Sequence, residues 1–366
     1  MSADMNNTDN IQIFFEDCKP NGVELLAPDI NQSGFEFIPI NTKEVLYGLG
    51  AIKGTGLAAI ELILESRESK GPFKNLFDFC ARLDLRKVNR RVVESLIRGG
   101  AFDTLEPNRA SLLASVNLAI TAAEQGKANI GQNSLFGEEQ TQKIEMVHVD
   151  PWTPQQKLQE EKAALGFYFS GHPFTFFEKR VQPFIKTQIK ELKPQEQPYL
   201  IAGVIVAIRI RMTARGKMAI VTLDDAVSRV DVVVGNELLT QSQRLVQEDQ
   251  LLIVEGRVSH DDFTGGIRVT ARKLFDLATA RNQFAHHLKI SCNGQSDANK
   301  LRDILRPYCG SSQNDMKRCR VKIDYHNAKG HVELILGQDW QVDLHDELID
   351  GLTQWLSEEN VKILYN

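Results

Sequence analysis

Residues 49–60 read Leu49-Gly50-Ala51-Ile52-Lys53-Gly54-Thr55-Gly56-Leu57-Ala58-Ala59-Ile60. A helix beginning at Thr55–Gly56 presents its free backbone N–H groups at a glycine hairpin. Glycine lets a phosphate approach closely, and a helix N-terminus carries partial positive charge. Lys53 adds a full charge beside it. This is the chemistry of a helix-hairpin-helix unit, which holds a DNA backbone without reading its sequence. An ordinary glycine turn between two helices is the alternative. A second, poorer candidate follows: a helical Val92–Ile97, then Arg98-Gly99-Gly100-Ala101-Phe102, then a helix near Pro107.

Charge is distributed in keeping with that reading. Residues 43–109 carry 12 Lys or Arg and 9 Asp or Glu, a net +3, in a chain whose net charge is −5. Arg86, Lys87, Arg90, Arg91 and Arg98 surround a single acid, Glu94. At helical spacing Lys87, Arg90, Arg91 and Arg98 share roughly one face. Phosphate contact is the reading favoured by the neighbouring glycines; a solvated helix face is the other.

Outward from the hairpin, residues 43–125 are helical in pattern. Residues 1–42 hold one short helix, Ile11 to Cys18, and a turn at Leu26–Asn31, with too little apolar surface for a core of their own. They read as a fragment of something larger. Residues 126–150 are polar, lack periodicity and read as a loop. Residues 151–197 read as a helix and linker. Thr153 is its N-cap, Pro154 its first position, and it runs to about Phe169 before Ser170-Gly171-His172-Pro173.

From Tyr199 the pattern turns to strands: Leu200–Met212, Met218–Leu223, Val230–Val234, Leu251–Val258 and Ile267–Leu277, with a helical Glu237–Val246 between the third and fourth. That layout, over 198–281, is an OB-fold barrel. Arg209 and Arg211 alternate onto one of its faces. Its few aromatic residues, Tyr199, Phe263 and Phe275, make a poor stacking platform for a single strand. Residues 282–366 read as a small α+β domain, with strands at Leu288–Cys292, Arg320–Tyr325, Val332–Leu336 and Val361–Leu364 and helices at Asp297–Pro307 and His345–Leu356. This last part carries 10 Lys or Arg and 12 Asp or Glu, a net −2; a protein partner suits it better than DNA. The fold class is therefore multidomain: an α-helical tandem helix-hairpin-helix region, an all-β OB-fold barrel and a small α+β C-terminal domain.

Several chemistries are set aside. Asp224-Asp225 and Asp261-Asp262 are adjacent acids. Strand neighbours point to opposite faces, so turn chemistry explains them better than a shared metal. There is no His-Glu-x-x-His, no Walker-type phosphate loop and no Gly-x-Ser-x-Gly. The five cysteines are odd in number and far apart, with no Cys-x-x-Cys. Zinc and a disulfide framework are not expected, and a reducing, cytoplasmic setting is. No apolar run approaches the roughly 18 residues of a spanning helix, so no membrane contact is expected.

Residues 132–136, Gln132-Asn133-Ser134-Leu135-Phe136, stand between the polar Glu124–Asn129 and the acidic Glu138-Glu139. They set two large apolar side chains side by side in a polar region. Burying both in a partner's pocket would supply roughly 3–6 kcal/mol, with Gln132 fixing the register. The alternative is a Leu-Phe pair tucked back on its own domain.

The order of parts is more specific than any one of them. Tyr47-Gly48-Leu49-Gly50-Ala51-Ile52-Lys53-Gly54 is followed by Leu76-Phe77-Asp78-Phe79-Cys80-Ala81-Arg82. Asn89-Arg90-Arg91, Gly100-Ala101-Phe102-Asp103, the Gln-x-x-Leu-Phe peptide and Leu165-Gly166-Phe167-Tyr168-Phe169-Ser170-Gly171-His172-Pro173 come next, then the barrel. This resembles the C-terminal part of the bacterial DNA polymerase III alpha subunit, over nearly the whole chain and including Pro28-Asp29-Ile30-Asn31.

The resemblance implies that 1–42 is the tail of a fingers domain and that 43–125 grips duplex DNA. Lys53, Gly54, Thr55 and Gly56 would lie at the first hairpin, with Lys87, Arg90, Arg91 and Arg98 beside it. Thr55 stands where an aliphatic residue is more usual. It implies that Gln132, Leu135 and Phe136 dock in the sliding clamp, the beta subunit. The barrel, with Arg209 and Arg211, would lie near the template strand. Residues 282–366 would bind the tau subunit of the clamp loader. The palm aspartates that hold catalytic magnesium lie upstream in that family, so no cofactor and no polymerisation are expected of this chain alone. Two rival readings are a stand-alone helix-hairpin-helix/OB accessory protein and a fragment of a DNA ligase; the second needs an adenylation lysine motif, and none occurs.

Overall fold

Residues 1–172 fold as one unit and residues 173–366 as another. The computed structural model describes residues 1–5, 7–132, 145–213, 216–260, 265–293, 296–309 and 318–365. Among these, no helix is long and apolar enough to cross a membrane.

The first unit opens with helix α1 (Thr8–Cys18) and three short strands, β1 (Glu24–Leu26), β2 (Ile38–Pro39) and β3 (Glu44–Leu46). β3 lies in the middle, parallel to β1 and antiparallel to β2. Helices α2 (Leu57–Lys70), α3 (Leu76–Arg82), α4 (Arg90–Arg98), α5 (Arg109–Gln132) and α6 (Pro154–Leu165) follow. Asn75 and Asn89 cap α3 and α4, accepting hydrogen bonds from the N–H groups of Asp78 and Val92. Thr153 and Gln156 form a reciprocal capping box at the start of α6, with Pro154 in its first turn. Helices α1 to α6 and strands β1 and β3 share one core. Ile11, Leu25, Ile30 and Phe37 pack in the same cluster as Leu49, Ile60, Phe79, Leu96, Phe102, Leu165 and Phe167.

Residues 1–42, too poor in apolar surface for a core of their own, complete the core of the helices that follow with their few large side chains. Two sequence expectations change here. α5 continues through residues 126–132, which the loss of apolar periodicity had suggested were loop. α6 stops at Leu165 rather than near Phe169, because Gly166 takes a left-handed conformation (φ 94°) and ends it. A β-carbon there would also lie 2.6 Å from Cβ of Thr8. The segment expected as helix and linker, 151–197, thus divides between the two units.

The second unit begins with α7 (Thr175–Val181) and the strands β4 (Tyr199–Thr213), β5 (Gly216–Asp224), β6 (Arg229–Val234), β7 (Leu251–His260) and β8 (Ile267–Phe275). They join in the order β4-β5-β6-β8-β7 and close into a barrel. Every pairing is antiparallel except β6 with β8. Ile201, Val221, Val232, Leu252, Val254 and Val269 fill it. A single helix between β6 and β7, α8, spans only Asn236–Gln241 and ends before the Val246 that its polar–apolar pattern suggested. After α9 (Leu277–Phe284) comes a four-stranded sheet with two helices: β9 (Ala285–Asn293), α10 (Ala298–Leu305), β10 (Arg320–Asn327), β11 (Gly330–Ile335), α11 (Asp346–Leu356) and β12 (Val361–Tyr365). Its order is β11-β10-β9-β12, with β9 and β10 parallel. Trp340, Trp355, Leu356 and Tyr365 all pack against the core between sheet and helices.

Candidate nucleic-acid interface

The first hairpin is built by backbone conformations that only glycine adopts readily. Gly54 and Gly56 sit at φ 84° and 62°, in the left-handed region where a β-carbon is costly. Between them, Thr55 is turned inward and is 2 % exposed. Its hydroxyl shares a proton between the carbonyls of Leu49 (3.0 Å) and Ile52 (2.8 Å). The threonine that departs from an aliphatic residue here is therefore a staple within the hairpin, and its side chain offers nothing to a ligand. The Lys53 N–H donates to the Ala164 carbonyl at 2.8 Å, fastening the hairpin to the end of α6.

This leaves the start of α2 open. Gly56 is its N-cap and makes no side-chain cap, and no acid lies in the first turn. Gly54, Gly56, Leu57 and Ala58 are exposed. The orphan N–H groups of a first helical turn then face solvent with the positive end of the helix dipole unopposed.

The basic helix adjoins this opening. A β-carbon at Gly54 would lie 3.8 Å from Nε of Arg91 and 3.6 Å from Oγ of Ser95. Lys53, Lys87 and Arg91 are exposed, and none makes an ion pair among the described residues. The other two cations of the predicted face are committed. Arg90 pairs with Glu94 at 2.5 Å, and Arg98 pairs with Glu160 on α6. The four-cation face of the sequence is thus reduced to Arg91 and Lys87, with Arg90 exposed but half-neutralised.

The second hairpin is different in kind. Gly99 and Gly100 are buried. The guanidinium of Arg109, 6 % exposed, lies against Gly100 and binds both carboxylate oxygens of Asp103 (2.7 and 2.6 Å), the Arg98 carbonyl (3.0 Å) and Glu161 (3.1 Å). Glu161, 1 % exposed, also accepts the Ser170 N–H at 2.8 Å. Burial alone lowers the Arg109 pKa, but the Asp103 and Glu161 carboxylates outweigh it and hold the guanidinium charged. Asn108 accepts from the Ser111 N–H, so the start of α5 is capped where that of α2 is not. This network was not singled out in the sequence, where Glu161 reads as one more surface charge on a polar helix. The one signal was an arginine six residues beyond Asp103, at a helix start that favours acids.

On the barrel, Arg209 is tied to Asp231 at 2.6 Å, while Arg211 is exposed with no ion pair among the described residues. Phe275 is 7 % exposed and packs edge-on to Phe284; Tyr199 leans on the barrel core. Neither is a stacking platform, and Phe263 lies outside the described residues. Asp225 accepts N–H groups of Ile189, Val227 and Ser228, and Asp224 accepts from Arg229, so this acid pair serves turns. Asp261 and Asp262 lie outside the described residues. Of the clamp peptide, Gln132 ends α5, and Asn133 to Phe136 lie outside the described residues.

Comparison with known proteins follows the same division. The helix-hairpin-helix motif family matches residues 22–112, the OB-fold nucleic acid binding domain family residues 199–277, and the family "DNA polymerase III subunit alpha, C-terminal domain" residues 300–356. DNA polymerase III subunit alpha of Neisseria meningitidis serogroup A is 38% identical over 99% of this chain. That of Escherichia coli K12 is 38% identical over 100% of it. The chain is homologous to the C-terminal region of DNA polymerase III subunit alpha. It spans 32% of the length of each of these two relatives. Among solved structures, the second OB-fold domain of replication protein A from Methanococcus maripaludis covers 25% of this chain at 19% identity and a TM-score of 0.21, too slight a likeness to build on.

Proposed function

We propose that this polymerase III alpha region holds duplex DNA by its phosphate backbone through the open start of α2. Lys53, Gly54, Gly56, Arg91 and Lys87 form the contact. The observation that carries this reading is an uncapped helix N-terminus, framed by two left-handed glycines, beside unpaired cations. Thr55 and Arg98 act from behind it, in hairpin geometry and in the link to α6. Arg90 and Arg211 remain peripheral contributors, and Arg209, already paired, contributes least. Changing Lys53 and Arg91 together to Ala is expected to weaken duplex binding irrespective of sequence. It should flatten the slope of log affinity against log salt by roughly 0.9 for each phosphate that is no longer neutralised. An unchanged slope would show the face to be merely solvated.

The wider role is that of a tether in chromosomal replication. Gln132, Leu135 and Phe136 dock in the sliding clamp, and residues 282–366 meet the tau subunit of the clamp loader. Nucleotide transfer, with its magnesium ions, is the task of the palm domain of a full-length alpha subunit. Among the described residues, no three His, Cys, Asp or Glu side chains are grouped to hold a metal. A reducing cytoplasm is the matching setting; all five cysteines are free thiols.

A further inference from the structure

One face of strands β9, β10 and β12 packs against α10 and α11, while the other carries the exposed Arg320 and Lys362 with His287, 7 % exposed, between them. Leu288, Ile290, Val321 and Val361 pack in one cluster with Leu301 and Leu305 of α10 and Leu348 and Leu352 of α11. Residues of opposite parity point the other way, and they include Lys289 on β9, Arg320 and Lys322 on β10 and Lys362 on β12. The register sets Lys362 opposite Lys289 and Lys289 opposite Lys322. Three ammonium groups thus stand on adjacent strands, about 4.8 Å apart at the backbone. Like charges directly opposite each other are destabilising.

Two acids on the same face relieve part of this. Asp324 binds Lys289 at 2.6 Å and also His331; Glu333 binds Lys322 at 2.7 Å. Both lie on the side toward β11. Arg320 and Lys362 are exposed, and neither makes an ion pair among the described residues. The positive character is not compositional, because residues 282–366 are net −2. It is segregated: Asp346, Glu347 and Asp350 ride on α11, in the layer behind the sheet.

We propose that this open face is a second nucleic-acid contact, engaging phosphates by charge alone. Protein interfaces are depleted in lysine and have an apolar centre. Here the large apolar side chains, Leu364 and Ile335, sit only on the outermost strands, β12 and β11. Nucleic-acid interfaces are more polar and far more positive. The four strands contribute no Phe, Tyr or Trp to this face; its rings are the imidazoles of His287, which is buried, of His331, which is held by Asp324, and of His326. The contact is therefore to the backbone and indifferent to sequence. It belongs to the second unit and does not depend on the α2 hairpin of the first. It adds to the sequence-level view, in which a protein partner suits this domain better than DNA.

The test measures affinity for a fluorescein-labelled duplex against salt, using the whole chain. Four proteins are compared: unaltered, Lys53→Ala/Arg91→Ala, Arg320→Ala/Lys362→Ala, and all four changes together. With two fewer phosphates neutralised, the log–log salt slope of the sheet variant should fall by about 1.8. The combined variant should lose more than either pair. An unchanged slope in the sheet variant overturns the proposal, whatever the hairpin variant does. The charge-keeping variant Arg320→Lys/Lys362→Arg must retain the slope; if it too loses it, the effect is one of folding and the proposal falls. Poly-glutamate serves as the rival probe. Loss of poly-glutamate binding with duplex binding intact would assign the face to an acidic protein segment and overturn the proposal as well.

Discussion

Thr55 illustrates how one side chain can serve a binding loop without touching what is bound. Its hydroxyl adds a second donor to two carbonyls, those of Leu49 and Ile52, which also accept the backbone N–H groups of Ile52 and Thr55. Thr55→Val keeps the shape and removes the donor. Both carbonyls keep their backbone donors, so what is lost is a net hydrogen bond worth about 0.5–1.5 kcal/mol, and chemical denaturation should show a loss in that range. Duplex affinity at full folding should fall only as far as the hairpin loosens, by less than for the Lys53/Arg91 pair. Equal or greater loss of affinity in Thr55→Val would mean that the hydroxyl itself meets DNA. Lys53 and Arg91 belong to the same scale of argument. They are the cations that the structure leaves without a partner, whereas Arg98 looked equivalent in sequence and is spent on Glu160. The sequence reports charge but not who neutralises it, because Glu160 is far along the chain from Arg98.

At the scale of elements, the two hairpins divide their labour. The α4–α5 turn is locked by Arg109, whose guanidinium joins α4, α5 and α6 through Asp103, the Arg98 carbonyl and Glu161. Arg109→Met should cost about 3–5 kcal/mol, because it leaves Glu161 buried without its counter-ion. Arg109→Lys keeps the charge but not the planar fork and should lie between the two; equilibrium unfolding of the three proteins checks the order. If Arg109→Met unfolds like the unaltered chain, the network is ornamental. Elements with local signals were legible beforehand. Thr153-Pro154 marked the start of α6, the glycine–lysine pattern marked the first hairpin, and segments rich in Ile and Val marked the barrel strands. Those that depend on distant partners were not. The polar residues 126–132 continue α5 without an apolar stripe to announce it. Leu165-Gly166-Phe167 reads as continuous helix until Gly166 is seen to turn left-handed against Thr8. Ile11, Leu25, Ile30 and Phe37 are too scattered to show any period, yet they close the core of the first unit.

At the scale of the whole molecule, the chain is two units with separate cores, the first of which carries the polar stretch that holds the peptide Gln132–Phe136, and it matches about a third of each polymerase III alpha relative. The peptide is where the proposed tethering role can be tested apart from DNA binding. Small interfaces concentrate their energy in a few apolar anchors. Truncating Leu135 and Phe136 together to Ala should therefore cost on the order of 3 kcal/mol, a hundredfold or more in affinity for purified sliding clamp. Duplex binding through the α2 hairpin should persist, since Lys53 and Arg91 are untouched. On the docking reading the melting temperature should also hold. The rival, a Leu-Phe pair folded onto its own domain, predicts the opposite pair of results: a lower melting temperature and unaltered clamp affinity. Both quantities are measured on the same double variant, so a failure to fold cannot pass for a failure to bind. A destabilised variant that still binds the clamp would refute the docking role of Leu135 and Phe136.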